Sequence, residues 1–208
     1  MDKLQIETLV LGMISTNCYL VMNKETKALL IVDPADESQK IINRIAELQA
    51  KPEAVLLTHG HFDHIGAAGA LHDRYGIPVC AFEDERQVLE NVAYNHSGMY
   101  GRTFTVKADR FFHDGEIADF AGVSIQVLHT PGHTAGGACY YIGSEKVLLS
   151  GDTLFFGSVG RTDLPTGNMR ELHESVHQKL FALPEDTLVL PGHGEATSIG
   201  YEKQYNPY

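Results

Sequence analysis

Thr58-His59-Gly60-His61-Phe62-Asp63-His64 sets three imidazoles and a carboxylate within six consecutive residues. The apolar run Ala54-Val55-Leu56-Leu57 stands directly before it and reads as a buried strand. The cluster therefore falls at the carboxyl end of a strand, where open α/β sheets place their ligand sites. Residues two apart on an extended segment point the same way, so His59 and His61 can face one point together. Asp63 and His64 follow the turn, at the start of a helix expected to run through Ile65 and Leu71 to about Tyr75. Neutral imidazole and carboxylate are ligands for zinc, iron or manganese. A lone histidine here would read as a surface residue. Four ligand-type side chains on one strand-to-helix turn read as a metal site.

The same rhythm recurs further along the chain. The strand Val123–Leu128 leads to His129-Thr130-Pro131-Gly132-His133-Thr134. The strand Val147–Ser150 leads to Gly151-Asp152-Thr153, and Thr187–Leu190 leads to Pro191-Gly192-His193-Gly194. The four loops together offer His59, His61, Asp63, His64, His133, Asp152 and His193. One tetrahedral catalytic zinc needs three protein ligands and a water. Seven donors exceed one ion and suit two, with both oxygens of Asp152 able to bridge a pair about 3.5–4 Å apart. His72, His96, His113, His173 and His177 stand in no ligand-like context, and His129 reads as a supporting or core residue.

Outward from the cluster, Leu4–Leu11, Asn17–Met22 and Ala28–Val32 read as an antiparallel meander ended by Asp33-Pro34. Asp36 to about Leu48 is a helix with Ile41, Ile42, Ile45 and Leu48 on one stripe. Val79–Phe82 is a short strand. Glu83 to Asn91 is a short helix whose acidic first turn suits the dipole. Ala93 to Arg110 has no clear period and reads either as a loop over a site or as a linker packing its own aromatics. A seam is expected there, dividing one domain, residues 1–208, into halves of about 1–110 and 111–208. A helix is expected from about Asn168 to Leu183, and Ala138–Ile142 is a further strand. Strands outnumber helices and helices fall between them, which suggests an α+β arrangement of two packed sheets with helices outside.

The 208 residues suffice for a sizeable core. A net charge of -11 argues against nucleic acid and against an acidic membrane surface as partners. No apolar run approaches a membrane span, and Met1–Glu7 lacks a signal-peptide core, so a cytoplasmic location is expected. Cys18, Cys80 and Cys139 lie far apart, without CxxC spacing, and read as buried reduced thiols.

The Thr58–His64 cluster resembles the HxHxDH motif of the metallo-β-lactamase superfamily. With Thr130-Pro131-Gly132-His133-Thr134, Gly151-Asp152-Thr153-Leu154-Phe155 and Pro191-Gly192-His193-Gly194, it is similar to the glyoxalase II group of that superfamily. The resemblance implies an αββα sandwich of two mixed sheets with the site along one sheet edge. It implies two divalent metal ions, zinc first, with iron or manganese as alternatives. His59, His61 and His133 would hold one, Asp63, His64 and His193 the other, with Asp152 bridging. Asp63 and Asp152 would be the catalytic carboxylates, Asp63 also orienting the attacking hydroxide. The chemistry implied is hydrolysis of a thioester of the S-lactoylglutathione type, since bound metal lowers the pKa of water from about 15.7 to about 7. Full-length glyoxalase II enzymes carry a helical domain beyond the last motif. This chain runs only to Tyr208 and resembles the short bacterial glyoxalase II-like hydrolases instead. Arg161, in Gly160-Arg161-Thr162-Asp163, is the candidate anion contact, or else the structural partner of Asp163. The alternatives are an iron persulfide dioxygenase using His59, His133 and Asp152 alone, a lactonase of the same fold, and a non-catalytic module stapled by metal.

Overall fold

The computed structural model describes residues 3–208; Met1 and Asp2 lie outside the described residues. The first sheet begins with β1 (Leu4–Leu11), β2 (Thr16–Asn23) and β3 (Ala28–Val32), an antiparallel meander as the sequence suggests. Helix α1 (Ser38–Leu48) crosses over to β4 (Lys51–Leu56), which pairs with β3 in parallel. Helices α2 (Phe62–Ile65) and α3 (Ala68–Tyr75) lead to β5 (Val79–Phe82), and α4 (Arg86–Leu89) follows a 3₁₀ turn at Glu83–Glu85. The sheet closes with β6 (Arg110–Phe112), parallel to β5, in the order β1-β2-β3-β4-β5-β6.

The second sheet takes β7 (Ile117–Phe120), β8 (Val123–His129), β9 (Ala138–Ile142) and β10 (Val147–Gly151). A small hairpin, β11 (Leu154–Phe155) with β12 (Ser158–Val159), and helix α5 (Met169–Glu174) come before β13 (Leu188–Pro191), β14 (Thr197–Ser198) and α6 (Ile199–Tyr205). The order is β14-β13-β10-β9-β8-β7, with β13 parallel to β10 and the other neighbours antiparallel.

The period-two alternation of each strand divides its side chains between two layers. Tyr19 and Val21 of β2 face the space between the sheets, where they meet Val127, Tyr140 and Leu149. Leu20 and Met22 face the opposite way and pack under Ile41 and Ile45 of α1 and Leu71 of α3. Each such aliphatic side chain contributes roughly 1.5–3 kcal/mol on full burial. The outer face of the second sheet, Cys139, Leu148 and Val189, is covered by Val176, Leu180 and Ile199. The layers are therefore helix, sheet, sheet, helix. All three cysteines are buried and free. No helix of the described residues is long and apolar enough to cross a membrane.

Two local expectations need correction. The helix expected through Ile65 to Tyr75 is broken, because the Ala67 N–H is taken by the Pro34 carbonyl (2.8 Å) instead of continuing the helical ladder. Phe111 and Phe112, placed at the start of the second half, belong to β6 and complete the first sheet. The segment after Ala93 is a loop, as the sequence suggests, and it is tied down: Asn95 is buried, its Nδ2 donates to Phe104 O (2.8 Å), and its carbonyl accepts from Phe62 N (2.8 Å).

Hydrogen bonds stitch the sheets together along the edge where the histidine loops emerge. Tyr140 donates to Leu57 O (2.7 Å) and Tyr19 to Pro191 O (2.6 Å). The Asn17 backbone N–H donates to Gly192 O (2.7 Å), and its side chain to Pro191 O (2.9 Å). The loops after β4, β8, β10 and β13 consequently converge on one edge of the sandwich.

Candidate metal centre

All seven sequence-derived donors meet at that edge. One donor atom from each of His59, His61 and His133 lies within 4.8 Å of the others. The same holds for Asp63, His64 and His193, and for His59, His64 and Asp152. Nδ1 of His61 is 2.9 Å from Nε2 of His133. Nε2 of His193 is 3.2 Å from Asp63 Oδ2 and 3.6 Å from Asp152 Oδ2. Asp152 lies between the outer triads: Oδ1 is 3.3 Å from His64 Nε2, and Oδ2 is 3.6 Å from His133 Nε2.

Local structure holds each donor. His61 is the residue before α2, so Asp63 and His64 ride on the first turn of that helix. Asp152 follows Gly151, whose φ of +49° lies in the left-handed region. A Cβ on Gly151 would stand 2.3 Å from Thr58 Oγ1, so the two ligand loops approach closely only with glycine there. His133 Nδ1 donates to the Arg161 carbonyl (2.7 Å), which leaves Nε2 facing the cluster. His64 Nδ1 bonds Asp33 Oδ2 (2.9 Å), leaving its Nε2 toward Asp63 and Asp152. Asp63 Oδ2 accepts from Thr16 Oγ1 (2.8 Å).

The electrostatics suit a cation. Burial, reinforced by His64, His133 and His61, holds the His59 imidazole well below its ordinary pKa. Burial likewise takes His61 down to about 3. Both are neutral, with a lone pair to offer. Burial would lower His64 as well, but Asp63, Asp152 and Asp33 surround it and raise it well above the usual value. A proton there does what a metal ion would do: it balances a concentration of buried carboxylate.

A second observation is independent of charge. Nε2 of His59, His61 and His64 and Oδ1 of Asp152 are buried without a hydrogen-bond partner. Buried polar atoms are ordinarily satisfied, and each orphan costs about 1–3 kcal/mol. Four such atoms in one cluster of metal-ligand types fit coordination to divalent ions.

Two acids that the sequence reading passed over support this arrangement. Asp33 is 2% exposed and accepts from Thr58 N (2.8 Å), Thr58 Oγ1 (2.6 Å) and His64. Glu85 is 1% exposed and accepts from Gly60 N (2.7 Å) and Thr134 Oγ1 (2.8 Å). Burial pushes Glu85 up to about 7 in spite of these bonds. Each resembled an ordinary feature, a strand stop or an acidic helix turn, so no local signal marked it.

A cavity of about 460 Å³ opens onto the cluster. Ile14, Met99, Phe155 and Leu164 line its apolar sides, with Arg161 and His96 among the polar groups. His96 was given no part from sequence; its ring centroid is 5.5 Å from that of His61, but it joins none of the donor groups. Arg161 forms a two-pronged pair with Asp163 (2.7 and 2.7 Å) while still lining the cavity. His129 donates through Nε2 to Ala135 O (2.8 Å) and stacks on Phe82, a supporting part as expected. His173 and His177 stack on each other outside the cluster.

Comparison with known proteins agrees with this architecture. The profile of the metallo-beta-lactamase superfamily matches residues 11–193. A Bacillus subtilis protein named probable metallo-hydrolase YqgX is 42% identical over 200 residues, covering 95% of this chain and 93% of that protein. The hydroxyacylglutathione hydrolase GloC of Haemophilus influenzae is 36% identical over 208 residues, covering 99% and 98%. The crystal structure of TTHA1623 in a di-iron-bound form superposes with a TM-score of 0.87 at 35% identity, covering 97% and 98%. The chain belongs to the metallo-beta-lactamase superfamily, and relatives it is similar to are named as metal-dependent hydrolases.

Proposed function

We propose that the chain is a binuclear metal-dependent hydrolase that cleaves thioesters of the S-lactoylglutathione type. The observation that carries this reading is the convergence of seven donors as two triads, with Asp152 reaching toward both. His59, His61 and His133 would hold one ion, Asp63, His64 and His193 the other, and Asp152 both. Zinc, iron and manganese all suit imidazole and carboxylate donors. The di-iron form of a structural relative supports two ions, and the name of the Haemophilus relative supports the thioester.

Bound ions would supply Lewis acidity, polarising a carbonyl and lowering the pKa of water to about 7. The chain's own residues do the rest. Burial keeps His59 and His61 neutral at working pH, so neither needs deprotonation before it can ligate. Thr16 donates to Asp63 Oδ2 and so fixes the carboxylate rotamer at the mouth of the cavity. Asp33 and the Arg161 carbonyl hold His64 and His133 in single orientations. The apolar walls formed by Ile14, Met99, Phe155 and Leu164 would flank an acyl chain and restrict water around it. Arg161, which lines the cavity and pairs with Asp163, would contact the carrier end of the substrate.

A dioxygenase with one iron would use only His59, His133 and Asp152. Occupancy of Asp63, His64 and His193 by a second ion separates the two readings. The test is a panel on metal-quantified protein: S-lactoylglutathione, other acyl thioesters, a lactone, and glutathione persulfide with oxygen uptake. Hydrolysis of thioesters by protein carrying two ions is the expected result. Turnover of the lactone alone, or oxygen uptake with one iron, would overturn the assignment.

A further inference from the structure

Glu85 lies far from the histidine motifs in sequence and takes no place among the metal-donor groups, yet it is fully buried beside them. Its Oε1 accepts from the backbone N–H of Gly60, the residue between His59 and His61. Its Oε2 accepts from the hydroxyl of Thr134, the residue after His133. A Cβ on Gly136 would stand 2.1 Å from the Glu85 backbone nitrogen, so the loop carrying His133 lies directly against this turn. On the other side, Gly60 packs on Leu89, where its Cβ would be 3.0 Å from the backbone nitrogen. The Glu83–Leu89 segment is thus wedged between two loops that come from different sheets.

Those loops carry His59, His61 and His133, one complete triad. The other triad has different supports: Asp33 on His64 and Thr16 on Asp63. We infer that Glu85 is the positioning residue for the His59/His61/His133 triad, its two carboxylate oxygens setting the separation of the loops that deliver those three imidazoles. The inference rests on reading the cluster as a two-ion centre. It goes further in tying Glu85 to one triad only, so that this site can be weakened more than the other; Asp33, which bonds His64 and also reaches His59 through Thr58 Oγ1, serves both.

Glu85→Gln, Glu85→Asp and Thr134→Val in the full chain test this. Zinc affinities come from chelator competition. Occupancy of each triad comes from zinc anomalous scattering in crystals grown at limiting zinc. Thermal unfolding of the metal-free proteins gives a control for plain destabilisation. Outer-sphere partners of metal ligands change affinity by roughly 10–100-fold, so Glu85→Gln is expected to weaken the His59/His61/His133 site by that factor and the Asp63/His64/His193 site by less than about threefold. Glu85→Asp withdraws the carboxylate by one methylene and is expected to fall between wild type and Glu85→Gln. Thr134→Val, which removes one arm only, is expected to give a smaller loss at the same site. Equal loss at both triads, or a lowered Tm with both affinities unchanged, would overturn the inference. Should Glu85→Gln fail to fold, Thr134→Val decides by the same comparison. A chain that binds zinc normally but cleaves no thioester would refute the proposed substrate and leave this assignment standing. A chain that binds no zinc would refute both.

Discussion

Replacing Asp33 by asparagine changes one oxygen to an amide, and its consequences can be followed atom by atom. In the wild type, Asp33 Oδ1 accepts from Thr58 N, and Oδ2 accepts from Thr58 Oγ1 and His64 Nδ1. Asparagine can keep only one acceptor. If that acceptor stays on Thr58 N–H, the new NH₂ faces His64 Nδ1 and forces that nitrogen to accept. The ring proton then moves to Nε2, the nitrogen 3.2 Å from Asp63 Oδ2 and 3.3 Å from Asp152 Oδ1, and its lone pair is lost to coordination. If the amide flips, the buried Thr58 N–H is orphaned instead, at a cost of about 1–3 kcal/mol. The expected outcome is a loss of roughly 10–100-fold in metal affinity at the Asp63/His64/His193 triad, with only modest loss of fold stability. Chelator competition gives the affinity, and denaturant unfolding of the metal-free protein gives the stability. Asp33→Asn protein that holds metal at that triad with wild-type affinity would refute the tautomer argument.

Other perturbations have equally definite outcomes. Gly192→Ala places a Cβ 2.2 Å from Asp152 Oδ1 and 2.7 Å from His64 Cε1, so the bridging carboxylate must move. Such overpacking costs about 1–3 kcal/mol, and metal analysis should find less than the wild-type content; a full complement would contradict the geometry. His61→Ala and Asp63→Ala are expected to abolish hydrolysis while circular dichroism stays native, and undiminished turnover in either would remove the two-metal mechanism. Glu85 is raised by burial from an ordinary 4.5 to about 7, so the folded state binds more protons than the unfolded state across that window. Stability from this group is therefore greatest at low pH and falls as pH rises from about 4.5 to about 7, by about 3 kcal/mol in all. The difference in unfolding free energy between metal-free wild type and Glu85→Gln should follow that slope; a flat difference would show that the carboxylate does not titrate there.

The donors were legible because each loop follows an apolar strand, and four strands ending in His or Asp loops can converge only if their ends share one edge of the sandwich. The layered fold followed from the same alternation. What escaped was long-range and carried by ordinary residues. Asp33 reads as a strand stop beside Pro34, and Glu85 as one of three acids in a helix turn; their roles depend on Thr58, His64, Gly60 and Thr134, which only the folded chain brings to them. The break at Ala67 depends on the Pro34 carbonyl in the same way. Arg161 illustrates a further limit: its side chain pairs with Asp163 while its carbonyl orients His133, and a backbone role leaves no trace in residue type.

The central claim is a cluster that holds two ions and uses both for hydrolysis. Titrating metal-free protein with zinc while following S-lactoylglutathione cleavage tests it most directly. Activity that rises until two equivalents are bound and then levels off is the predicted result. Activity complete at one equivalent, or zinc bound at two with no thioester cleaved, would contradict the account.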